Sequence, residues 1–318
     1  MKQFKILITG ISGFVGRNLV NYLAKFPNYK LYGLDIIDQD IDGVEHIYSW
    51  SKLNELQEFD VIIHLAGKAH DLKNTSDDKV YFDINYGLTK KIYDWFLDSN
   101  CSKFFFMSSV KAVADVVQGE TLDEKEKCNP VTAYGKSKLK AEEHILSMNL
   151  PLGKSFYIFR PCMIHGPGNK GNLNLLYRFS KSGIPYPLGS FDNKRSFLSV
   201  SNLCFIFNEF IINKVDSGIY HLADDDAIST NELIKVISET LNRKARILKL
   251  PVNLVTSLAK LGSILHLPLT EERLNKLTEN YVVSNLKIKK VLSKTLPVST
   301  REGLVETIKS FSHTKSLN

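Results

Sequence analysis

Short apolar runs alternate with longer stretches of helical periodicity through the first half of the chain. The pattern predicts strands near residues 5–9, 30–35, 46–48, 61–66, 104–108 and 156–160, and helices over 13–25, 81–99 and 133–146. Strands that alternate with helices long enough to cross a sheet face specify an α/β fold with a doubly wound parallel sheet. After Arg160 the pattern breaks: Gly- and Pro-punctuated loops occupy 165–171 and 185–189, where a second lobe begins. The spacings Ser229-x-x-Glu232 and Ser299-x-x-Glu302 are capping boxes and predict helices over 232–241 and 302–310. No internal repeat or low-complexity tract interrupts the chain.

The first predicted strand runs into Thr9-Gly10-Ile11-Ser12-Gly13-Phe14-Val15-Gly16. A strand that turns sharply into a helix aims unpaired N–H groups and a positive dipole end at one spot, which suits the pyrophosphate of a dinucleotide. Gly10 serves the tight turn, Gly13 the approach of backbone to phosphate, and Gly16 the packing of helix on strand. Asp35 closes the second strand twenty-five residues after Gly10. A carboxylate there accepts from ribose hydroxyls and repels a 2′-phosphate, so NAD is expected rather than NADP, with Asp38 as the substitute residue. The fourth strand ends in His64-Leu65-Ala66-Gly67, small residues past which a flat cofactor can run.

Tyr134 and Lys138 are one helical turn apart on one face, at the start of a helix announced by Asn129-Pro130. A phenol with a pKa of about 10 is scarcely ionised at neutral pH, and an ammonium and a positive nicotinamide ring nearby are expected to lower it by roughly one to three pH units. That makes a tyrosine a usable base. The strand before it ends in Ser108-Ser109, so a hydroxyl is expected to face the pair; Ser109 is the candidate and Ser108 the alternative.

The chain's 318 residues are 43% hydrophobic and 24% charged, enough for a sizeable core. Lys plus Arg number 41 against 34 acids, which favours anionic partners, but no dense basic run is seen beyond residues 287–290, and nucleic acid is not expected. Cys101, Cys128, Cys162 and Cys204 are far apart, with no metal-ligand spacing, and read as reduced. No export signal is recognised, so a cytoplasmic location is expected. Residues 252–267 are apolar but too short to span a bilayer, leaving a helix packed on its own lobe or one lying along a surface.

These motifs together resemble the extended short-chain dehydrogenase/reductases, specifically the NAD-dependent epimerase/dehydratase family acting on nucleotide sugars. Residues 9–16 match its glycine turn, Asp35 its ribose acid, 64–67 its cofactor-lining strand end, Asn85 its helix asparagine, and 134–138 its Tyr-x-x-x-Lys. Arg160-Pro161 with 164–168 is similar to its Arg-Pro-x-x-x-Tyr-Gly-Pro-Gly loop, and 195–200 to its Arg-x-Phe-x-x-Val segment. The resemblance implies a Rossmann domain over 1–165 together with about 197–222, and a smaller, mainly substrate-binding lobe over 166–318. It also implies catalysis by Ser109, Tyr134 and Lys138. Cofactor contacts would come from Gly10, Ser12, Gly13, Phe14, Val15, Gly16, Asp35, Leu65, Ala66, Gly67, Ser108, Tyr134, Lys138 and Pro161. Substrate contacts would come from Ser109, Asn172, Arg195 and Arg273, and a homodimer would form through the long middle helices.

Two departures bear on the chemistry. Residues 48–51 lack the acidic motif that often holds adenine, and Val110-Lys111 stand where the family's 4,6-dehydratases carry two carboxyl groups. Without those acids, oxidation or reduction at a single carbon remains. The resemblance then implies a 4-epimerase working through a transient 4-keto sugar, or a 4-keto reductase; a non-catalytic dinucleotide-binding protein is the third reading.

Overall fold

A computed structural model describes residues 3–36, 39–69, 77–169, 171–265 and 270–313. In chain order the first part runs β1 (Phe4–Thr9), α1 (Phe14–Leu23), β2 (Tyr29–Asp35), β3 (His46–Ser49), β4 (Val61–His64), α2 (Asp78–Tyr81), α3 (Gly87–Asp98), β5 (Lys103–Met107), α4 (Ala133–Ser147) and β6 (Ser155–Pro161). There follow β7 (Met163–His165), α5 (Asn172–Ser182), β8 (Phe197–Ser199), α6 (Val200–Ile212), β9 (Gly218–Leu222), α7 (Thr230–Thr240), α8 (Val252–Ile264), α9 (Glu271–Thr278), α10 (Leu286–Leu292) and α11 (Thr300–His313). Seven strands form one parallel sheet in the order β3-β2-β1-β4-β5-β6-β9, and β7 pairs with β8 beside it.

Both faces of the sheet are covered, which is why its central strands read as unbroken apolar runs. Alternate residues feed two cores. Ile6, Ile8, Ile63 and Phe105 pack with Leu19, Val20 and Leu23 of α1 and Phe207 and Phe210 of α6. Leu7, Ile62, Phe104 and Phe106 pack with Ile92, Tyr93 and Phe96 of α3 and Ile145 of α4. Strand order reverses between β1 and β4, so a crevice opens above the carboxyl ends of those strands.

The second helix differs from a uniform 81–99 segment: α2 and α3 are joined by a wide π turn, Phe82–Tyr86, which carries the buried Asn85. β4 stops at His64 rather than at residue 66, because the Ala66 N–H leaves the ladder to donate to Thr9 Oγ1 at 3.0 Å. Helix α6 was not foreseen; it is buried nearly all round and has no polar face to mark its period. Its C-terminus is capped from the sheet by Lys103 Nζ, which donates to the carbonyls of Phe210, Ile211 and Asn213 at 2.7–2.8 Å. Burial holds that amine down at about 8. The apolar segment over 252–267 forms α8, with residues 266–267 outside the described region. Among the described residues no helix is long and apolar enough to cross a membrane.

Candidate active site

The glycine turn sits in the crevice. Gly10 has φ +66°, and a Cβ on it would lie 2.8 Å from the Ala66 backbone; on Gly16 it would lie 2.4 Å from the Ile11 carbonyl oxygen. Only hydrogen fits at either place, and β1, β4 and α1 close tightly around the turn. Gly13 caps α1, whose first N–H groups face the crevice mouth. The buried Asp35 carboxylate arches back over this turn: Oδ2 accepts from Ser12 N at 2.9 Å and Ser12 Oγ at 2.8 Å, and Oδ1 from Ile36 N at 2.7 Å. Each oxygen of a carboxylate offers about two lone pairs, so Oδ1 retains capacity for a ribose hydroxyl. Glycines without room for a side chain and a fixed acid one strand away fit a dinucleotide. Asp38 lies outside the described residues. Leu65 and Ala66 line the end of β4, Pro161 closes β6, and Phe14 packs under Gly168 while Asn18 Nδ2 donates to the Pro167 carbonyl at 3.0 Å.

Beneath the turn runs a hydrogen-bond relay. The Ala66 N–H donates to Thr9 Oγ1, which bonds His64 Nδ1 at 2.7 Å; His64 Nε2 bonds Thr89 Oγ1 at 2.9 Å, and that hydroxyl donates to the Asn85 carbonyl at 2.6 Å. With the Thr89 proton committed to Asn85, Nε2 must carry the histidine hydrogen and Nδ1 must accept. The ring is neutral: burial, reinforced by the Lys138 ammonium, holds His64 down at about 3. The same π turn lets the Asn85 side chain clasp the Lys68 backbone, accepting from its N–H at 2.8 Å and donating to its carbonyl at 3.2 Å. Asn85 Nδ2 also donates to Ser137 Oγ at 3.0 Å.

Ser109, Tyr134 and Lys138 meet at this place. The Ser109 hydroxyl caps the short turn after β5, accepting from Lys111 N at 3.2 Å, and it is hydrogen-bonded to the half-buried Tyr134 phenol. Lys138 is buried; Nζ donates to the Met107 carbonyl at 2.8 Å and lies 3.1 Å from where a Gly67 Cβ would stand. Burial brings its amine down to about 8, with Glu142 acting in the opposite sense. The Tyr134 phenol corrects the expectation from its neighbour: burial, chiefly, pushes it above 10, with the Ser109 bond pulling it down and Tyr81 pushing it up. Desolvation outweighs the Ser109 bond.

Ser108 has a different employment. Its hydroxyl donates to Glu142, whose buried carboxylate is gripped by Arg160 through Nε at 3.0 Å and Nη2 at 2.5 Å; Nη2 also reaches Cys128 Sγ at 3.3 Å. Ser109, not Ser108, therefore offers its hydroxyl to the phenol. Sequence reading missed the Glu142–Arg160 pair, for which the spacing of residues around Glu142 offers no signal.

Substrate candidates are less well gathered. Arg195 is already engaged, with Nη2 on Glu279 Oε1 at 2.9 Å and Nε on the Glu279 carbonyl at 3.3 Å. Arg273 is exposed on α9, and Asn172 opens α5 with its side chain outside the described region. No cluster of metal-ligating side chains occurs among the described residues.

Residues 6–223 match the model of the NAD dependent epimerase/dehydratase family. The chain belongs to that family. A UDP-glucose 4-epimerase of Vibrio cholerae is 28% identical over 320 residues, covering 96% of this chain and 95% of the relative. An N-acetyl-alpha-D-glucosaminyl-diphospho-ditrans,octacis-undecaprenol 4-epimerase of Escherichia coli O157:H7 is 26% identical, over 91% of this chain and 86% of its own. In fold, the epimerase/dehydratase chain superposes on the UDP-N-acetylglucosamine 4-epimerase structure from Bacillus cereus with a TM-score of 0.77 at 21% identity, covering 98% of this chain and 100% of that one.

Proposed function

We propose that this protein is a nucleotide-sugar 4-epimerase that uses bound NAD, with Ser109, Tyr134 and Lys138 as its catalytic residues. The observation that carries the reading is the Ser109–Tyr134 hydrogen bond beside a buried lysine, at the lip of a glycine cradle that fits a dinucleotide. Bound NAD would supply the reversible hydride acceptor for the sugar carbon. Tyr134 Oη takes the proton of the C4 hydroxyl, Ser109 Oγ holds the same oxygen, and the Lys138 ammonium lowers the cost of the phenolate. The 4-keto sugar turns over between the two transfers, and Tyr134 gives the proton back. Asp35, fixed by Ser12, holds the adenosine ribose and disfavours a 2′-phosphate. Elimination of water is not part of the reading, because Val110 is apolar and Lys111 Nζ is spent on the Asp115 carbonyl at 2.8 Å and the face of Tyr281 at 4.1 Å.

The substrate in this reading is a UDP-linked hexose or N-acetylhexosamine. Its diphosphate would meet Asn172, Arg273 and Arg195, the last after exchange of Glu279 for phosphate. The working unit would be a cytoplasmic homodimer formed through α3 and α4. Incubation of the purified protein with UDP-hexoses and UDP-N-acetylhexosamines, with no nicotinamide cofactor added, tests the proposal. Interconversion of C4 epimers is expected; stoichiometric consumption of NADH or NADPH with a 4-keto sugar would instead favour the reductase, and inertness toward both would leave a binding protein.

A further inference from the structure

Helix α8 carries apolar residues on two faces. Val255 and Ala259 are buried against Tyr186, Leu188 and Ile234, which anchors the helix to its lobe. Leu254, Leu258 and Leu261 are each 49% exposed, and Leu265 just past the helix end is 57% exposed. At the spacing i, i+4, i+7, i+11 these four share one stripe pointing away from the body. Leu248 ahead of the helix and Ile264 within it are also exposed. Solvated leucines at one helical spacing are unusual for a face that meets only water.

The charge along this stretch of sequence is of one sign, although Glu271 at the start of α9 lies beside α8, its N–H donating to Ser263 Oγ at 3.0 Å. Between Glu239 and Glu271 the chain has no Asp or Glu, while Arg243, Lys244, Arg246, Lys249 and Lys260 supply five cations. Four of them fall within residues 243–249, which end two residues before α8, all exposed. Arg243, Lys244 and Arg246 also line a cavity of about 340 Å³ with Ile184, Tyr186 and Ile234. Acidic residues return only at the start of α9, with Glu271 and Glu272.

We propose that α8 and the basic segment leading into it dock this protein on an anionic lipid surface, the leucine stripe in the interface and the cations against headgroup phosphates. A helix of thirteen residues is about 20 Å long, enough to lie in the headgroup plane and too short to cross. Charge decides between a bilayer and a second copy of the chain. An isologous contact over this segment would set five cations against the same five with no carboxylate from the segment to receive them. Anionic lipid neutralises them. The proposal is independent of the sugar chemistry, since none of these residues belongs to the catalytic cluster.

The test is flotation of the full-length protein with phosphatidylcholine vesicles containing or lacking phosphatidylglycerol. Wild type is expected to float with the anionic vesicles at low salt, to lose binding as salt rises, and to stay down with pure phosphatidylcholine. Leu258→Glu/Leu261→Glu and Lys244→Gln/Arg246→Gln are each expected to weaken partitioning by about tenfold or more, with an unchanged thermal midpoint and unchanged turnover of soluble nucleotide sugar. Failure of wild type to bind anionic vesicles overturns the proposal. So does equal binding by the leucine variant, or sedimentation showing that this variant dissolves a dimer that wild type forms.

Discussion

Acid should unfold this protein in part through one imidazole. His64 sits between Thr9 and Thr89 with both nitrogens bonded, its ring stacked on Phe106 at 5.8 Å, and the relay has no place for a second ring proton while Lys138 stands nearby. The folded ring therefore stays neutral down to about 3, whereas the unfolded chain takes up the proton at the ordinary 6.5. Within that window the unfolded state holds one proton more, so stability is intact above pH 6.5 and is lost as pH falls, by about 1.4 kcal/mol per pH unit and about 5 kcal/mol over the window. His221, held down at about 4 by burial and by Arg160, adds a loss of the same sign, so the informative quantity is a difference between two proteins. His64→Gln keeps a donor and an acceptor but cannot take up the proton. Urea unfolding at pH 7, 6, 5 and 4 should find the variant weaker at pH 7 by about 1–3 kcal/mol and its decline shallower than wild type's by about 1.4 kcal/mol per pH unit between 6 and 4. Parallel declines would refute the reasoning, as would a nitrogen NMR signature of imidazolium at residue 64 in the folded protein at pH 5.

Tyr134→Phe is expected to lower kcat by about 10²–10⁴-fold while the thermal midpoint stays near wild type's, read by coupled assay and calorimetry. Arg160→Met leaves the Glu142 carboxylate buried without its cation and should cost about 3–5 kcal/mol in urea unfolding, most of it recovered in Glu142→Leu/Arg160→Met. Asp35→Ser removes a charge-assisted ribose contact and should weaken NAD binding by about 10–100-fold while narrowing the gap to NADP, measured by fluorescence titration.

The nucleotide half of the fold was legible because its signals are local. A buried parallel strand is an unbroken apolar run, and the turn from Thr9 to Gly16 announces itself through glycines that the packing of β1, β4 and α1 requires. Tyr134 and Lys138 were legible for a similar reason, since helical spacing alone puts them on one face. What escaped was set by distant partners. Nothing near Glu142 in the sequence reveals that Arg160, eighteen residues on, neutralises it, or that Ser108 is thereby withdrawn from the phenol. The direction of the Tyr134 shift was missed because desolvation is a property of the packed site, not of the Lys138 spacing. The cations before α8 went unremarked because they are interspersed with apolar residues, and their meaning emerged only with the exposed leucine stripe.

Everything in the proposed chemistry rests on a hydride that leaves the sugar's C4 and comes back to it while Tyr134 moves the hydroxyl proton. A UDP-hexose carrying deuterium at C4, incubated with the enzyme in ordinary water and followed by NMR and mass spectrometry, reads this directly. The account predicts that both C4 epimers appear with the label retained at C4. Epimerisation accompanied by washout of deuterium into solvent would contradict it.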